Sequence, residues 1–179
     1  MKQDDDLPDD GFDQFMAERW PRLVRSAYLL TSDRHDAEDL AQAVLTKVFS
    51  SWHRVRRAED VDAYVHRIMI NCNSNRFRRR RVAEHPVPIV PDHLRTTADH
   101  AGEWDQRSTF MTALAQLPPR QRAVIVLRYY EDMTEAQTSH VMGCSIGTVK
   151  SQTWKALARL REHSELAAYI PLTPQEGAA

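Results

Sequence analysis

Cysteine is scarce in this 179-residue chain: Cys72 and Cys144 stand alone, far apart and in no CxxC pair. That excludes a disulfide scaffold and a standard zinc finger. Glycine is equally sparse, with five in all, which argues against a glycine-rich phosphate loop or a many-turned all-β fold. No stretch approaches the roughly 18–20 unbroken apolar residues that cross a bilayer, so no membrane insertion is expected. The opening Met1-Lys2-Gln3-Asp4-Asp5-Asp6 is acidic and lacks an apolar centre, so it does not read as a secretory signal. Nor is there an excess of one charge: 24 Lys+Arg stand against 25 Asp+Glu. With 42% apolar residues, what remains is a helix-rich chain expected in the cytoplasm. At roughly 100–200 residues per domain it holds one domain or two small ones.

The balanced total hides segregation. Residues 1–18 carry seven acids and one base, Lys2. Residues 76–81 carry five arginines in six positions, and Arg54, Arg56 and Arg57 lie upstream. Such a run is either a solvated face or a nucleic-acid contact. A chain this close to neutral gains little from nonspecific attraction to DNA, so a DNA-binding role calls for a partner that delivers it there.

Periodicity divides the chain into two helical blocks, 11–82 and 108–165, with an acidic tail at 1–10 and a short C-terminal tail at 166–179. In the first block the clearest helix runs from about Asp36 to Trp52. Ala37, Leu40, Ala41, Val44, Leu45, Val48, Phe49 and Trp52 recur at three- and four-residue spacing on one face. Ser32 or Asp33 can cap it; Asp36, Glu38, Asp39, Gln42, Thr46 and Lys47 occupy its other face. Upstream, Phe12 to Leu30 predicts a helix or a pair broken near Pro21. Downstream, Val61, Tyr64, Val65, Ile68, Met69 and Cys72 give a third buried stripe that runs into the arginines. Residues 83–107 hold Pro86, Pro88 and Pro91 with no lasting period, and read as a linker.

The sharpest local signal lies at 134–162. Thr134-Glu135-Ala136-Gln137 fits a capping box. The helix it opens ends at Gly143, where a left-handed turn is wanted, and Ser145 caps the next. Val149, Thr153, Ala156, Leu157 and Leu160 form the inner face of that helix; Thr148, Lys150, Ser151, Gln152, Lys155 and Arg159 form its outer face. Small Ser139 is placed where the two helices approach. A tight turn followed by a polar, basic second helix makes a helix-turn-helix. Lys150 and Lys155 suit phosphate or guanine, and Gln152 suits adenine. Trp154 either packs on a sugar or covers the core, with packing preferred.

Asp36-Ala37-Glu38-Asp39-Leu40-Ala41-Gln42 resembles the polymerase-binding motif of bacterial sigma factors. Gly143-Cys144-Ser145-Ile146-Gly147-Thr148-Val149-Lys150-Ser151 resembles the start of their promoter-reading helix. Two blocks without further domains are similar to the extracytoplasmic-function (ECF) group. Tyr129-Tyr130-Glu131-Asp132-Met133-Thr134-Glu135-Ala136-Gln137-Thr138 looks most like its actinobacterial SigE family. The resemblance covers about residues 11–165. It implies an all-α fold of two small helical domains, an N-terminal bundle and a C-terminal helix-turn-helix domain, joined by the Pro-containing linker. The first would dock on the β′ clamp of core RNA polymerase through Asp36, Glu38, Asp39, Leu40 and Gln42, with Asp36, Asp39 and Gln42 exposed for a partner carrying Arg. It would hold the −10 element through Asn71, Asn75, Arg76, Arg78, Arg79 and Arg80. The second would read the −35 element through Ser145, Thr148, Lys150, Ser151, Gln152 and Lys155, and the linker would thread along the polymerase, which also offers its β subunit. Family members usually carry Asp at the Asn75 position and many carry Arg at the Gln152 and Lys155 positions; this chain departs at all three. The loop from about His53 to Asp60 matches the place where relatives pocket a flipped base. The resemblance implies promoter DNA as a partner, possible control by an anti-sigma factor, no cofactor, no metal and no enzymatic activity.

Two rival readings follow from the residues. His35-Asp36 resembles the centre of a metal phosphohydrolase motif, and His85, His93 and His100 with Cys72 can be imagined as a zinc site; both need converging ligands. A stand-alone helix-turn-helix regulator would bind duplex DNA without polymerase.

Overall fold

A computed structural model describes residues 11–83, 101–163, 166, 167 and 170, with side chains described outside 79–83 and 101–108. The acidic tail 1–10, residues 84–100 with their prolines and histidines, and most of the C-terminal tail lie outside the described residues. Every described element is helical: α1 Phe12–Thr31, α2 Arg34–Ser50, α3 Trp52–Val55, α4 Val61–Ala83, α5 Ala101–Gln116, α6 Pro119–Ile125, α7 Glu135–Met142 and α8 Ile146–Arg161, with a π-helical turn, Val126–Tyr130, continuing α6.

Helix α1 is continuous where a break is expected at Pro21. A proline inside a helix removes one hydrogen bond and costs about 3 kcal/mol. Here Pro21 is exposed, while Phe12 and Met16 before it and Leu23, Ser26, Ala27 and Leu30 after it are all buried. Burying a large apolar side chain contributes roughly 1.5–3 kcal/mol, so packing on both sides of the proline outweighs its cost. Ser32, in the left-handed region at φ 58°, ends α1 by donating its N–H to the Tyr28 carbonyl at 2.7 Å. Asp33 then caps α2, its carboxylate accepting the Asp36 N–H at 2.8 Å.

Helix α5 begins at Ala101, inside the stretch read as linker. Between Ala101 and Ser108 the only large apolar residue is Trp104, so no period announces the helix before Phe110. Pro118 and Pro119 do stop it; Pro119 takes the first position of α6, where its missing N–H costs nothing.

The buried residues do not divide at the linker. One cluster joins α1–α4 to Ala123, Val126, Leu127, Met133 and Val141 of the second block. The other packs Ala113, Leu114, Leu117 and Ile125 against Ala156, Leu157, Leu160 and Leu166. Helix α7 lies against α4, and α6 against α1.

Candidate nucleic-acid interface

The helix-turn-helix forms as its local chemistry dictates. Thr134 Oγ1 accepts the Gln137 N–H at 3.1 Å and Gln137 Oε1 accepts the Thr134 N–H at 2.9 Å. Gly143, at φ 62°, closes α7, since the left-handed region penalises a β-carbon. Ser145 Oγ accepts the Thr148 N–H at 3.1 Å and opens α8. The buried positions of α8 are Val149, Thr153, Ala156, Leu157 and Leu160, the five that its period predicts. On α7, however, the fully buried small residue is Thr138, not Ser139; the Ser139 hydroxyl turns to the Ala136 carbonyl of its own helix at 2.8 Å.

The outer face of α8 offers few committed donors. The Ser145 and Thr148 hydroxyls bond each other at 2.9 Å, and Ser151 Oγ donates to the Thr148 carbonyl at 3.0 Å. Lys150 is exposed and lies 3.5 Å from the Glu135 carboxylate. Lys155 is exposed, and Gln152 is half-buried. Trp154 is 60% exposed and so covers little of the core.

On α4, Asn71, Asn75 and Arg78 recur on one exposed face, and Arg78 Nη2 donates to Asn75 Oδ1 at 3.1 Å. Arg76 is not part of this stripe. Its guanidinium pairs with the Asp36 carboxylate and donates to the Asp36 backbone carbonyl. Two residues expected on separate surfaces, polymerase-facing Asp36 and DNA-facing Arg76, therefore hold each other and tie α2 to α4. Arg79 and Arg80 continue α4, but their side chains lie outside the described residues.

The expected docking face on α2 also changes. Asp36 is half-buried rather than exposed for a partner, and Leu40 is fully buried among the core residues. Leu40 supports the face from behind and presents nothing outward. Glu38 pairs with Arg34 at 3.1 Å; Asp39 and Gln42 are exposed. His35 and Asp36 gain no further ligands: among the described residues no three His, Cys, Asp or Glu side chains converge as a metal site.

A second polar cluster escaped the sequence reading. Glu131, fully covered, accepts the Ser26 hydroxyl and lies 3.1 Å from His66 Nε2. Arg22 Nε stands 2.7 Å from the other oxygen, out of line for a hydrogen bond, so that contact is an ion pair. Burial alone would raise the Glu131 pKa, but the His66 hydrogen bond and charge, the Ser26 hydroxyl and Arg22 outweigh it and hold the carboxyl below its usual range. Nearby, the Arg122 guanidinium donates to the Leu30 carbonyl at 3.0 Å, to the Ala115 carbonyl and to the Leu117 carbonyl at 3.3 Å. One cation thus satisfies the C-terminal ends of α1 and α5. Burial pulls its pKa down to about 10, which leaves it charged at neutral pH. A signal was available only at Arg128, which interrupts the run Ala123 to Tyr130, and a charge in such a run is buried only when paired; Arg122 follows Arg120 and Gln121 and carries no such mark.

The family model described as Sigma-70 region 2 matches residues 16–82, and that described as Sigma-70, region 4 matches 113–162. The RNA polymerase sigma-E factor of Streptomyces avermitilis is 38% identical over 154 residues, covering 86% of this chain and 85% of that protein. The ECF RNA polymerase sigma factor SigM of Mycobacterium tuberculosis is 30% identical over 150 residues, covering 84% of this chain and 75% of that protein. The chain belongs to the ECF sigma factors.

As a sigma factor it binds core RNA polymerase and directs promoter-specific transcription initiation by recognising −10 and −35 elements. The region 2 match removes the ground for a solitary helix-turn-helix regulator, which needs no such block. Among solved structures, the sigma factor RpoE in complex with the anti-sigma factor NepR from Bartonella quintana is similar at a TM-score of 0.68 and 25% identity, covering 87% of this chain and 97% of that one. CnrH, solved in complex with the cytosolic domain of CnrY, shares the fold at a TM-score of 0.58 and 22% identity, with 89% of each chain covered. Among the described residues no helix is long and apolar enough to cross a membrane.

Proposed function

We propose a residue-level division of this work. The start of α2 docks on the β′ clamp through Asp39 and Gln42, with Glu38 beside them, while Asp36 and Leu40 hold that face in shape. Helix α4 takes the −10 element as single strand: Asn71 and Asn75 bond base edges, Arg78, Arg79 and Arg80 neutralise phosphates, and Arg76 joins them if it leaves Asp36. Helix α8 enters the major groove at −35, with Ser145, Thr148, Lys150 and Ser151 on phosphates at its start and Gln152 and Lys155 on bases. The division 11–82 and 108–165 follows these roles. The factor works in the cytoplasm, performs no chemistry itself, and is open to control by an anti-sigma factor such as those seen with its structural relatives.

The observation that carries this reading is the solvent side of α8, which presents Lys150, Lys155 and Gln152 on a capped helix whose other side, Val149, Thr153, Ala156, Leu157 and Leu160, is buried. Run-off transcription on genomic fragments, with the purified chain and core polymerase, tests it. Defined start sites sharing −10 and −35 words are expected, and Asp39→Ala is expected to weaken polymerase binding without altering the promoter set. Duplex binding that needs no polymerase, or an Asp39→Ala chain that binds polymerase unchanged, would overturn it.

A further inference from the structure

Around α3 the chain is divided sharply between core and solvent. Trp52 and Val55 are buried, while His53, Arg54, Arg56 and Arg57 are all exposed. Neither Arg54 nor Arg57 has an ion-pair partner among the described residues. The acids that follow are mostly committed elsewhere. Asp60 caps α4 by accepting the Ala63 N–H at 2.8 Å, and Asp62 pairs with Arg19 at 2.8 Å. Glu59 is exposed and offsets one charge of the cluster at most. Just before α3 stands Phe49, a large apolar side chain left 40% exposed.

Residues 1–10 join the fold at this spot. Gly11, at φ 84°, leads the chain into α1. The Phe12 ring then lies 5.0 Å from that of Phe49 and 5.4 Å from that of Trp52. Helix α2 serves as a ruler to the other arginine run, 76–81. Arg76 pairs with Asp36, thirteen positions before Phe49 on that helix. At 1.5 Å per residue this is roughly 20 Å away. Of the two arginine clusters, the one beside α3 is nearer the root of the acidic segment.

We propose that residues 4–10 dock on this surface in the free chain and hold nucleic acid off it. Asp4-Asp5-Asp6-Leu7-Pro8-Asp9-Asp10 places five acids around one Leu-Pro pair. That pattern complements arginines beside one exposed ring: Leu7 packs on Phe49, and the run Asp4 to Asp6 meets the guanidinium groups of Arg54 and Arg57. From Gly11 back to Asp4 the chain spans up to about 25 Å, enough for both contacts. Exposed ion pairs are individually weak, but a tether this short presents the acids at roughly millimolar effective concentration. Arginines also suit phosphates, so carboxylates seated on them compete with DNA by charge, and salt weakens the competition by screening it. The consequence for DNA rests on the reading of the first block as the −10 reader; the docking does not.

Two measurements on the full chain test this. In proton–nitrogen NMR spectra, replacing the five tail aspartates (D4N, D5N, D6N, D9N and D10N) is expected to shift signals at residues 49–57 and leave those at 76–81 in place. Shifts centred on 76–81 or on α8, or confined to the tail, would overturn the docking. Anisotropy with a labelled single-stranded oligonucleotide reads the competition. The same variant is expected to bind about fivefold tighter at about 0.05 M salt, and less than about twofold tighter at about 0.5 M. Equal affinity of the two chains at low salt would overturn the competition. An R54S/R57S background separates docking from overall charge. These side chains are exposed, so the helices should persist by circular dichroism. Docking predicts that neutralising the tail in that background gains little; the full gain would show an effect of net charge alone and sink the proposal. If no chain binds the oligonucleotide, the −10 reading fails, and the NMR shifts still decide the docking.

Discussion

Helices α4 and α8 carry the two polar faces proposed to meet the promoter, but they hold them differently. On α8 the hydroxyls of Ser145, Thr148 and Ser151 stiffen the helix start, Lys150 meets Glu135 at a loose 3.5 Å, and Gln152 and Lys155 stand above a buried back. On α4 the long side chains are themselves engaged, Arg76 by Asp36 and Arg78 by Asn75. The difference suits the two forms of DNA proposed for them. A duplex has one shape, and a preformed helix face can match it. A single strand has many, and contacts that exchange internal partners for bases can follow it.

The supporting cores differ in the same sense, and core substitutions give the largest expected effect. Met69 lies beneath the α4 face in the cluster that spans both blocks, whereas Leu160 lies behind α8 in the cluster of the second. Each truncation to alanine is expected to cost about 2–5 kcal/mol in denaturant unfolding. Hydrogen exchange should separate them: Met69→Ala speeds exchange in both blocks, Leu160→Ala mainly from α5 onward. Equal spread from both would mean that the two faces share one support.

The next effect is on the pair that α4 keeps for itself. Asp36→Asn removes the charge facing Arg76, at side-chain exposures of 15% and 23%. Losing one partner of such a partly buried pair is expected to cost about 1–3 kcal/mol of stability. It should also tighten nonspecific single-strand binding, because the Arg76 charge is no longer balanced, although its bond to the backbone carbonyl at position 36 remains. Fluorescence anisotropy with a labelled oligonucleotide reads this; unchanged binding would make Arg76 a purely structural residue.

These contrasts explain what the sequence could reveal. The inner face of α8 and the capping box were legible because each is written within a few residues: five apolar or small positions at helical spacing, and a Thr and Gln three apart. Asp36 and Arg76 were misplaced because forty positions separate them, and a pattern read along one helix assigns each to its own exposed side. Leu40 fell to the motif it sits in, although its own period put it on the buried face. Glu131 and Arg122 stayed hidden for the same reason as Arg76, with partners on α1 and α4 far away in the chain. Pro21 misled in the other direction, since a local rule was overruled by packing on both sides of it.

The smallest effect falls on one or two base pairs. Gln152 is half-buried on the outer flank of α8, where the proposed docking sets its amide toward base edges. A bidentate amide contact to adenine is worth about 1–3 kcal/mol of discrimination. Gln152→Ala should therefore relax preference at one or two −35 positions while leaving the salt dependence unaltered. Lys150→Ala should do the reverse, lowering affinity for all promoters alike and reducing the salt slope by about 1. Because Lys150 already pairs with Glu135, part of its phosphate contact replaces an internal one, and its loss should be felt less than that of Lys155, which has no such pair among the described residues. Promoter-variant transcription at two salt concentrations distinguishes the three. If Gln152→Ala lowered activity uniformly, α8 would be gripping the backbone rather than reading bases, and its contrast with α4 would be one of rigidity alone.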